Sequence, residues 1–101
     1  MAPERIRLDL NDIEFQEDLF NLPKDLQVGV LNTLGKLSKM TWDQVYRDPG
    51  LNWEAVRIRK GPKGTRLYTF RLGRAFRAVA YREGPWLKIL SLHLDHDSAY
   101  E

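Results

Sequence analysis

The sequence contains no cysteine and only two histidines, and both shortages limit the chemistry that it can support. Without cysteine it forms no disulfides and no thiolate zinc sites, which is compatible with a reducing compartment. No apolar run approaches the roughly 20 residues that a membrane-spanning helix needs. The first residues, MAPERIRLDL, lack the basic-then-apolar order of a signal peptide. We therefore expect a soluble cytoplasmic protein without a membrane partner.

Net charge is also small, at +2, but it is unevenly distributed along the 101 residues. Residues 1–54 carry six Lys or Arg and ten Asp or Glu, whereas residues 55–101 carry ten and four, so the halves have net charges of −4 and +6. This segregation indicates a surface that meets a polyanion, with an ordinary solvated face as the alternative. The length and the 43% hydrophobic content predict one domain, residues 1–101, with one modest core.

The acidic half has the pattern of a short strand followed by helices. RIRLD alternates apolar and charged residues, as a half-buried strand does. NDIEFQEDLF predicts a helix capped by Asn11 or Asp12, and Asn21 is placed to cap a second helix over about 23–40. Thr41 predicts the cap of a short third helix, WDQVYRD. The first two helices would form a hairpin.

The basic half predicts four strands joined by short turns. The predicted strands are EAVRIRK (54–60), RLYTFRL (66–72), AFRAVAY (75–81) and WLKILSLH (86–93). Turns this short make neighbouring strands antiparallel. The predicted fold class is α+β: an α-helical hairpin packed on one face of a four-stranded antiparallel sheet, to which the short N-terminal strand is added.

Arg77 lies in the middle of the third predicted strand, between apolar neighbours. A charge in such a place must reach solvent, a carboxylate or an anionic ligand. A guanidinium suits phosphate because its planar fork donates two parallel hydrogen bonds, so Arg77 is a candidate phosphate clamp. The alternative is a snorkelling side chain or an internal ion pair.

A cluster of cations flanks the first turn between the predicted strands. Its members are Arg57, Arg59, Lys60, Lys63 and Arg66. Hairpin tips are often charged, but the density of this cluster beside a central arginine favours contact with a nucleic-acid backbone. We assign substrate binding to these five cations, together with His93 at the end of the last strand.

The C-terminal segment combines both histidines with acids and a tyrosine. His93 and His96 have a three-residue spacing that could hold a metal, but no further histidine exists to complete a site, so we expect no metal. A nearby carboxylate could instead orient His96 for proton transfer. Tyr100 could donate a hydrogen bond to a phosphate or stack on a base. The alternative is that this segment is an exposed end.

In the order of its elements, the chain resembles the RelE/ParE superfamily of toxin–antitoxin toxins over nearly its whole length. The segments that carry the resemblance are NLPKDLQVGVLNTLGKL, RLYTFRLGRAFRAVAYREG and HLDHDSAY, the last similar to the HHDEAY-type ending of some RelE-like members. The resemblance implies the toxin of a type II toxin–antitoxin system. Its activity would be that of a ribosome-dependent mRNA endoribonuclease, which attacks through the 2′-hydroxyl without metal or cofactor and inhibits translation.

The resemblance also implies roles for individual residues. Arg77 matches the central-strand arginine of the family and would stabilise the phosphate. Tyr100 matches the C-terminal tyrosine, which could stack on a base or assist proton transfer. His96 would transfer protons, as histidine does in some relatives. Arg59 and Lys60 fall near the basic residues of the first long strand. Where the best-known member has a basic run before its tyrosine, this chain has LDHD.

Two alternatives share the same fold: a ParE-like inhibitor of DNA gyrase, and a catalytically inactive binding homologue. The resemblance also implies a cognate antitoxin, which could form a hetero-oligomer with the toxin and would cover its basic face with acidic side chains. Trp42, Trp53 and Trp86 are candidates for that interface, although tryptophan is more often a core residue in so small a domain.

Overall fold

The computed structural model describes residues 4–94, which form an α+β fold, so the predicted fold class is confirmed. The strands are β1 (Arg7–Asp9), β2 (Glu54–Lys60), β3 (Arg66–Arg71), β4 (Phe76–Glu83) and β5 (Trp86–Leu94). The helices are α1 (Ile13–Phe20), α2 (Lys24–Leu37) and α3 (Trp42–Arg47), with a 3₁₀ turn at Pro62–Gly64. Across the described range, no helix has the length and apolar character needed to span a bilayer.

The five strands form one sheet in the order β1-β5-β4-β3-β2. The pairs from β2 to β5 are antiparallel, as their short turns require. The sheet is nevertheless mixed, because β1 runs parallel to β5, from Arg7 beside Trp86 to Asp9 beside Lys88. A parallel neighbour is possible here because a long connection that includes all three helices separates β1 from the rest of the sheet.

The main core lies between the helices and one face of the sheet. Val30, Leu34 and Leu37 form the buried stripe of α2, at the spacing of one helix face. This stripe belongs to the same cluster as Phe70 of β3 and Ala78 of β4, both of which are fully buried. Full burial of a Val or Leu side chain of α2 contributes about 2 kcal/mol to the free energy of unfolding. This apolar layer therefore holds the helices to the sheet.

Of the two helices of the hairpin, α1 has a side-chain cap at its N-terminus and α2 has none. The Asp12 carboxylate caps α1 by accepting from the backbone N–H of Glu14 at 2.9 Å. The prediction that Asn21 caps α2 is wrong, because Asn21 ends α1 and Pro23 occupies the position before α2. Proline has no side-chain acceptor to offer. The turn is secured instead by Gln27, whose amide donates to the carbonyl oxygens of the last two residues of α1.

The third helix has the best-defined ends. Thr41 and Gln44 form a reciprocal capping box at its start, which confirms the predicted cap. Asp48 follows its last residue, and the Asp48 carboxylate accepts from the Lys36 ammonium at 2.8 Å and from the backbone N–H of Leu51 at 3.0 Å. The Lys36 hydrogen bond is the main reason why the pKa of Asp48 lies below its usual 3.8. These bonds connect α2, α3 and the loop before β2.

The glycines of α2 could carry a side chain without a clash, whereas the glycine of the β3–β4 turn could not. Gly29 and Gly35 lie in α2, and a Cβ atom added at either would meet no other atom within 4 Å. They are therefore not required by a close approach to the sheet. Gly73, in the turn between β3 and β4, has a φ of +83°, and a Cβ there would lie 3.3 Å from the Val30 side chain. That turn needs glycine both for its backbone conformation and for its packing.

Candidate active site

The helices cover one face of the sheet, and the opposite face, here called the open face, carries most of the candidate chemistry. A separate, smaller apolar cluster lies on the open face and contains Val56, Leu67, Val79 and Tyr81. Beside this cluster the residues become polar. Side chains at directly paired positions of antiparallel strands point to the same side, so the register fixes which polar groups are neighbours.

One row across the open face is cationic. Arg77 of β4 is paired on one side with Arg71 of β3 and on the other with His93 of β5. The next row contains Thr69, Val79 and Ser91. The sheet therefore brings together two predicted site residues, Arg77 and His93, from separate strands.

A β-bulge in β5 determines which side chains of that strand reach the open face. Ile89 pairs with Ala80 and Ser91 pairs with Val79, so Leu90 is an extra residue without a partner in β4. Beyond the bulge, Ser91 and His93 share the open face with Val79. Leu92 turns to the other side, where it joins the main core.

Arg77 is buried, with 2% of its surface exposed. Its guanidinium donates from Nη2 to the Asn52 carbonyl oxygen at 2.7 Å and to Thr69 Oγ1 at 2.9 Å, and from Nε to the same Thr69 oxygen at 3.3 Å. The Glu54 carboxylate is 4.0 Å from Nη2. These contacts support the internal alternative for Arg77, a structural link between β4, β3 and the loop before β2. Direct contact with a phosphate would require the guanidinium to change partners.

Ser91 and His93 are joined by a hydrogen bond between Ser91 Oγ and His93 Nε2, 2.8 Å long. Ser91 is buried, with 3% exposure, while His93 is half-buried. A serine hydroxyl can serve as donor or acceptor, so this bond holds the ring in either neutral form. The backbone N–H of Leu92 between them donates to the Asp18 carboxylate of α1 at 2.9 Å, which fixes this part of β5 from the other side.

A groove of about 380 Å³ lies on the open face beside Ser91. Its floor is formed by Ser91, Val79 and Leu67, and its walls carry opposite charges. Its lining also includes Leu90, Gly61, Pro62, the basic side chains of Arg59 and Lys60, and the acidic side chains of Asp12 and Glu14. The basic wall belongs to the β2–β3 hairpin and the acidic wall to the start of α1.

The predicted cation cluster is exposed on that hairpin. Its members are Arg57, Arg59, Lys60, Lys63 and Arg66, all exposed to solvent. The register slips between Val56 and Lys60, and Lys63 has a φ of 58°, so the end of the hairpin is irregular. Of the five, only Arg59 and Lys60 line the groove; Ile58 between its basic neighbours is 70% exposed.

The remaining predicted residues of the site, His96 and Tyr100, lie outside the described residues, as do Asp95 and Asp97. Their assignments stay predictions from the sequence. Within residues 4–94 there is no grouping of three or more histidines and carboxylates that could hold a metal ion.

A larger concavity, about 490 Å³, lies away from this face beside α3 and the β4–β5 turn. Trp42, Tyr46 and Arg82 line part of this concavity. The Arg82 guanidinium lies over the Trp42 ring, 4.5 Å from its centroid, and donates to the Tyr46 hydroxyl at 2.8 Å. Trp42 is buried and packs edge-on against Trp53, which is half-buried. Of the three candidate interface tryptophans, Trp86 is the most exposed, at 40%.

The sequence reasoning did not identify Thr69, Ser91, Arg71 or Glu54 as part of the site. Thr69 and Arg71 alternate with apolar residues in RLYTFRL, so period-two reading of β3 could have placed them on the face of Arg77. Ser91 could not be placed in this way. Regular alternation of WLKILSLH puts Ser91 on the same side as the buried Leu87 and Ile89, and only the bulge moves it.

Comparisons with known proteins identify the fold. No protein-family model matches the chain, and no curated protein matches it. Among solved structures, a chain from the archaeal RelE–RelB complex of Pyrococcus horikoshii OT3 is similar at 20% identity and a TM-score of 0.59, over 96% of this chain and 100% of that one. A copper-bound mutant toxin from Helicobacter pylori aligns with 90% of this chain and 93% of its own at 18% identity, with a TM-score of 0.46. The similarity to the archaeal structure shows that the chain has a RelE-like fold.

Proposed function

We propose that this protein is the toxin of a type II toxin–antitoxin system and acts as a ribosome-dependent mRNA endoribonuclease. The observation that carries the proposal is the structural match to a chain of the RelE–RelB complex, which covers 96% of this chain and 100% of that one. At 20% identity this likeness establishes the fold, so the activity is inferred from the chemistry available on the open face.

The proposed reaction is an internal transesterification. The 2′-oxygen of the nucleotide before the cut attacks phosphorus while a base removes its proton. The bond from phosphorus to the 5′-oxygen breaks, and that oxygen takes a proton from an acid. The products are a 2′,3′-cyclic phosphate and a 5′-hydroxyl, so no water is consumed. Such a reaction needs proton-transfer groups and cations near the phosphate.

The exposed cations of the β2–β3 hairpin are suited to hold the RNA backbone. Arg59 and Lys60 bring positive charge to the rim of the groove, and the other three cations extend it along the hairpin. Phosphate contacts of this kind position a nucleic acid without reading its sequence. We propose that these five residues bind the mRNA strand, and that His93, which is paired with Arg77 in the neighbouring strand, contributes to this binding.

For Arg77 we propose two roles, one that keeps its present hydrogen bonds and one that requires it to exchange them. As observed, it joins the strands that shape the open face. Stabilisation of the scissile phosphate, the role implied by the family resemblance, would need its guanidinium to exchange the Asn52 or Thr69 contact for a phosphate oxygen. His96 and Tyr100 remain our proposed proton-transfer and base-stacking groups on the resemblance alone.

We further propose an antitoxin partner with an acidic segment. The exposed hairpin joins five cations with the apolar side chain of Ile58, which is a combination that an acidic, partly apolar peptide could cover. The similar archaeal structure is a complex of RelE with RelB, which supports a protein partner for this chain. A toxin–antitoxin hetero-oligomer would then hide the face that binds RNA.

The buried state of Arg77 favours one second candidate, an inhibitor of DNA gyrase that cuts nothing. An arginine held among protein partners needs no scissile phosphate to explain it. Brief induction of the protein in growing bacteria separates the two functions. The nuclease predicts immediate arrest of protein synthesis and new 5′ ends within coding regions, whereas the gyrase inhibitor predicts filamentation and an SOS response with intact mRNA.

A further inference from the structure

We infer that Ser91, which lines the groove, is a positioning residue that fixes the neighbouring His93 imidazole, and that His93 transfers a proton in the reaction. This inference rests on the proposed function for its chemical part. Its structural part, the fixing of the ring, can be tested in the isolated protein.

The bulge at Leu90 is the first support. Without the extra residue, regular pairing would place Ser91 and His93 towards the helices and Leu92 on the open face. With it, Leu92 is buried in the main core, and the hydroxyl and the imidazole both reach the open face. Bulges frequently re-aim side chains beside active sites, and this one moves two polar groups together.

The hydrogen bond between these two side chains is the second support. Both lie on one strand two residues apart, and the 2.8 Å contact engages Nε2 of the ring. Ser91 is itself buried beside Val79, so its hydroxyl has little freedom to move away. A buried hydroxyl that engages one ring nitrogen limits the rotation of the imidazole, whichever neutral form the ring adopts.

The surroundings give this pair access to a substrate. Ser91 forms part of the floor of the groove whose rim carries Arg59 and Lys60. His93 lies opposite Arg77 in the neighbouring strand and is half-buried, so its ring is partly open to solvent. His93 is hydrogen-bonded to Ser91 of the groove floor, so the imidazole lies next to the groove rather than in its lining. A group that donates or accepts a proton must come within hydrogen-bond reach of the reacting oxygen, and we propose that an RNA held by the hairpin cations reaches His93 from the groove.

The structural part is tested by nitrogen–proton correlation spectra of the isolated protein at a pH where the imidazoles are neutral. His96→Gln assigns the two histidines. We expect the Nε2 resonance of His93 to shift in Ser91→Ala, because that nitrogen loses its hydroxyl partner. Ser38→Ala, at the exposed end of α2, is the matched control and should leave the spectrum of His93 unchanged. Thermal unfolding of each variant verifies that it is folded.

The chemical part is tested by cleavage of mRNA on programmed ribosomes. Ser91→Ala should lower kcat about tenfold, the factor that one positioning hydrogen bond can supply, with little change in KM. His93→Gln should lower kcat further, and the double variant should be no slower than His93→Gln alone, because Ser91 acts through His93.

The outcomes separate the two proposals. A natural protein that cuts mRNA, with a Ser91→Ala variant unchanged in the His93 Nε2 resonance and in kcat, would overturn the inference and leave the proposed function standing. A natural protein that cuts nothing, but whose His93 Nε2 resonance depends on Ser91, would overturn the proposed function and the catalytic role, while supporting the positioning of His93 by Ser91.

Discussion

At the scale of single residues, the burial of Arg77 decides how its substitution should behave. A guanidinium with 2% exposure has given up hydration, and its hydrogen bonds to the Asn52 carbonyl and the Thr69 hydroxyl offset that cost. Removal of one partner from a buried polar network leaves the others unsatisfied. The structural role of Arg77 should therefore be visible in stability before any effect on activity is considered.

We predict that Arg77→Met destabilises the protein by about 2–3 kcal/mol, since the methionine fills the space but leaves two acceptors without their donor. Denaturant unfolding measures the change. Arg74→Met, the same substitution at an exposed position in the β3–β4 turn, should change stability by less than about 0.5 kcal/mol. An Arg77→Met variant that is as stable as the natural protein would show that its charge serves only a ligand.

Asp48 makes a pH-dependent contribution whose sign follows from its pKa. Because the Lys36 hydrogen bond lowers the pKa of Asp48 below 3.8 in the folded protein, the folded state favours the carboxylate. Its contribution is therefore present above about pH 4 and is lost as the pH falls through the folded-state value. We predict that Asp48→Asn costs about 1 kcal/mol at pH 7 and progressively less below pH 4.

The comparison requires unfolding curves of both proteins at several pH values. Asp43→Asn, at an exposed position in the first turn of α3, is the matched control. If the difference between Asp48→Asn and the natural protein stayed constant from pH 7 to pH 3, the carboxylate charge would not be the source of the stabilisation.

At the scale of secondary-structure elements, α2 contains a glycine whose replacement should make the protein more stable. Gly35 is exposed within the helix, and a Cβ atom there would have open space around it. Alanine restricts the unfolded chain and has a higher helix propensity than glycine. The helix is anchored by Val30, Leu34 and Leu37, so the substitution does not disturb its packing.

We predict that Gly35→Ala stabilises the protein by about 0.5–1 kcal/mol, equivalent to a rise in Tm of a few degrees. Calorimetry measures this rise. Gly73→Ala is the opposite control, because its φ of +83° and the nearby Val30 side chain penalise any Cβ atom. A Gly35→Ala variant less stable than the natural protein would mean that α2 needs glycine for a reason other than packing.

Several elements could be predicted because a local signal defines each of them. The stripe of α2, the Thr41 cap and the alternation in the strands all follow from periods of 3.6 or 2 residues. Pairing between distant segments leaves no local signal, so the parallel contact of β1 with β5 was not predicted. Asn21 was wrongly assigned as the cap of α2 because asparagine is found at either end of a helix.

The site was less predictable than the fold for the same reason. The position of Arg77 in its strand was apparent from the sequence, but its partners, Asn52 and Thr69, come from other elements. The bulge at Leu90 depends on whether Ser91 or Leu92 enters the core, which is a question of packing that alternation alone answers incorrectly.

At the scale of the whole molecule, the division of charge along the sequence corresponds to separate structural parts. The acidic half contains the helices, and the basic half contains the four antiparallel strands with the exposed cations of the hairpin. Binding to an RNA backbone through these cations would release counterions and so depend steeply on salt. This property belongs to the surface and does not require the active site to be intact.

We predict that the double substitution Arg59→Gln and Lys60→Gln weakens binding to single-stranded RNA. The negative slope of log affinity against log salt should become less steep by about 1.4, since each lost phosphate contact contributes about 0.7. Fluorescence anisotropy over a range of salt concentrations measures both effects. Lys39→Gln, an exposed cation just beyond α2, is the control. Equal slopes for the double variant and the natural protein would exclude the hairpin from the RNA interface.

The nature of the RNA ends produced on programmed ribosomes tests the central proposal most directly. Attack by the 2′-hydroxyl must leave a 2′,3′-cyclic phosphate on one fragment and a 5′-hydroxyl on the other, and mass spectrometry of the purified fragments identifies both. We predict these ends in the presence of the protein and their loss when the cognate antitoxin is added. Fragments with a 3′-hydroxyl and a 5′-phosphate, or uncut mRNA beside inhibited DNA gyrase, would contradict the account.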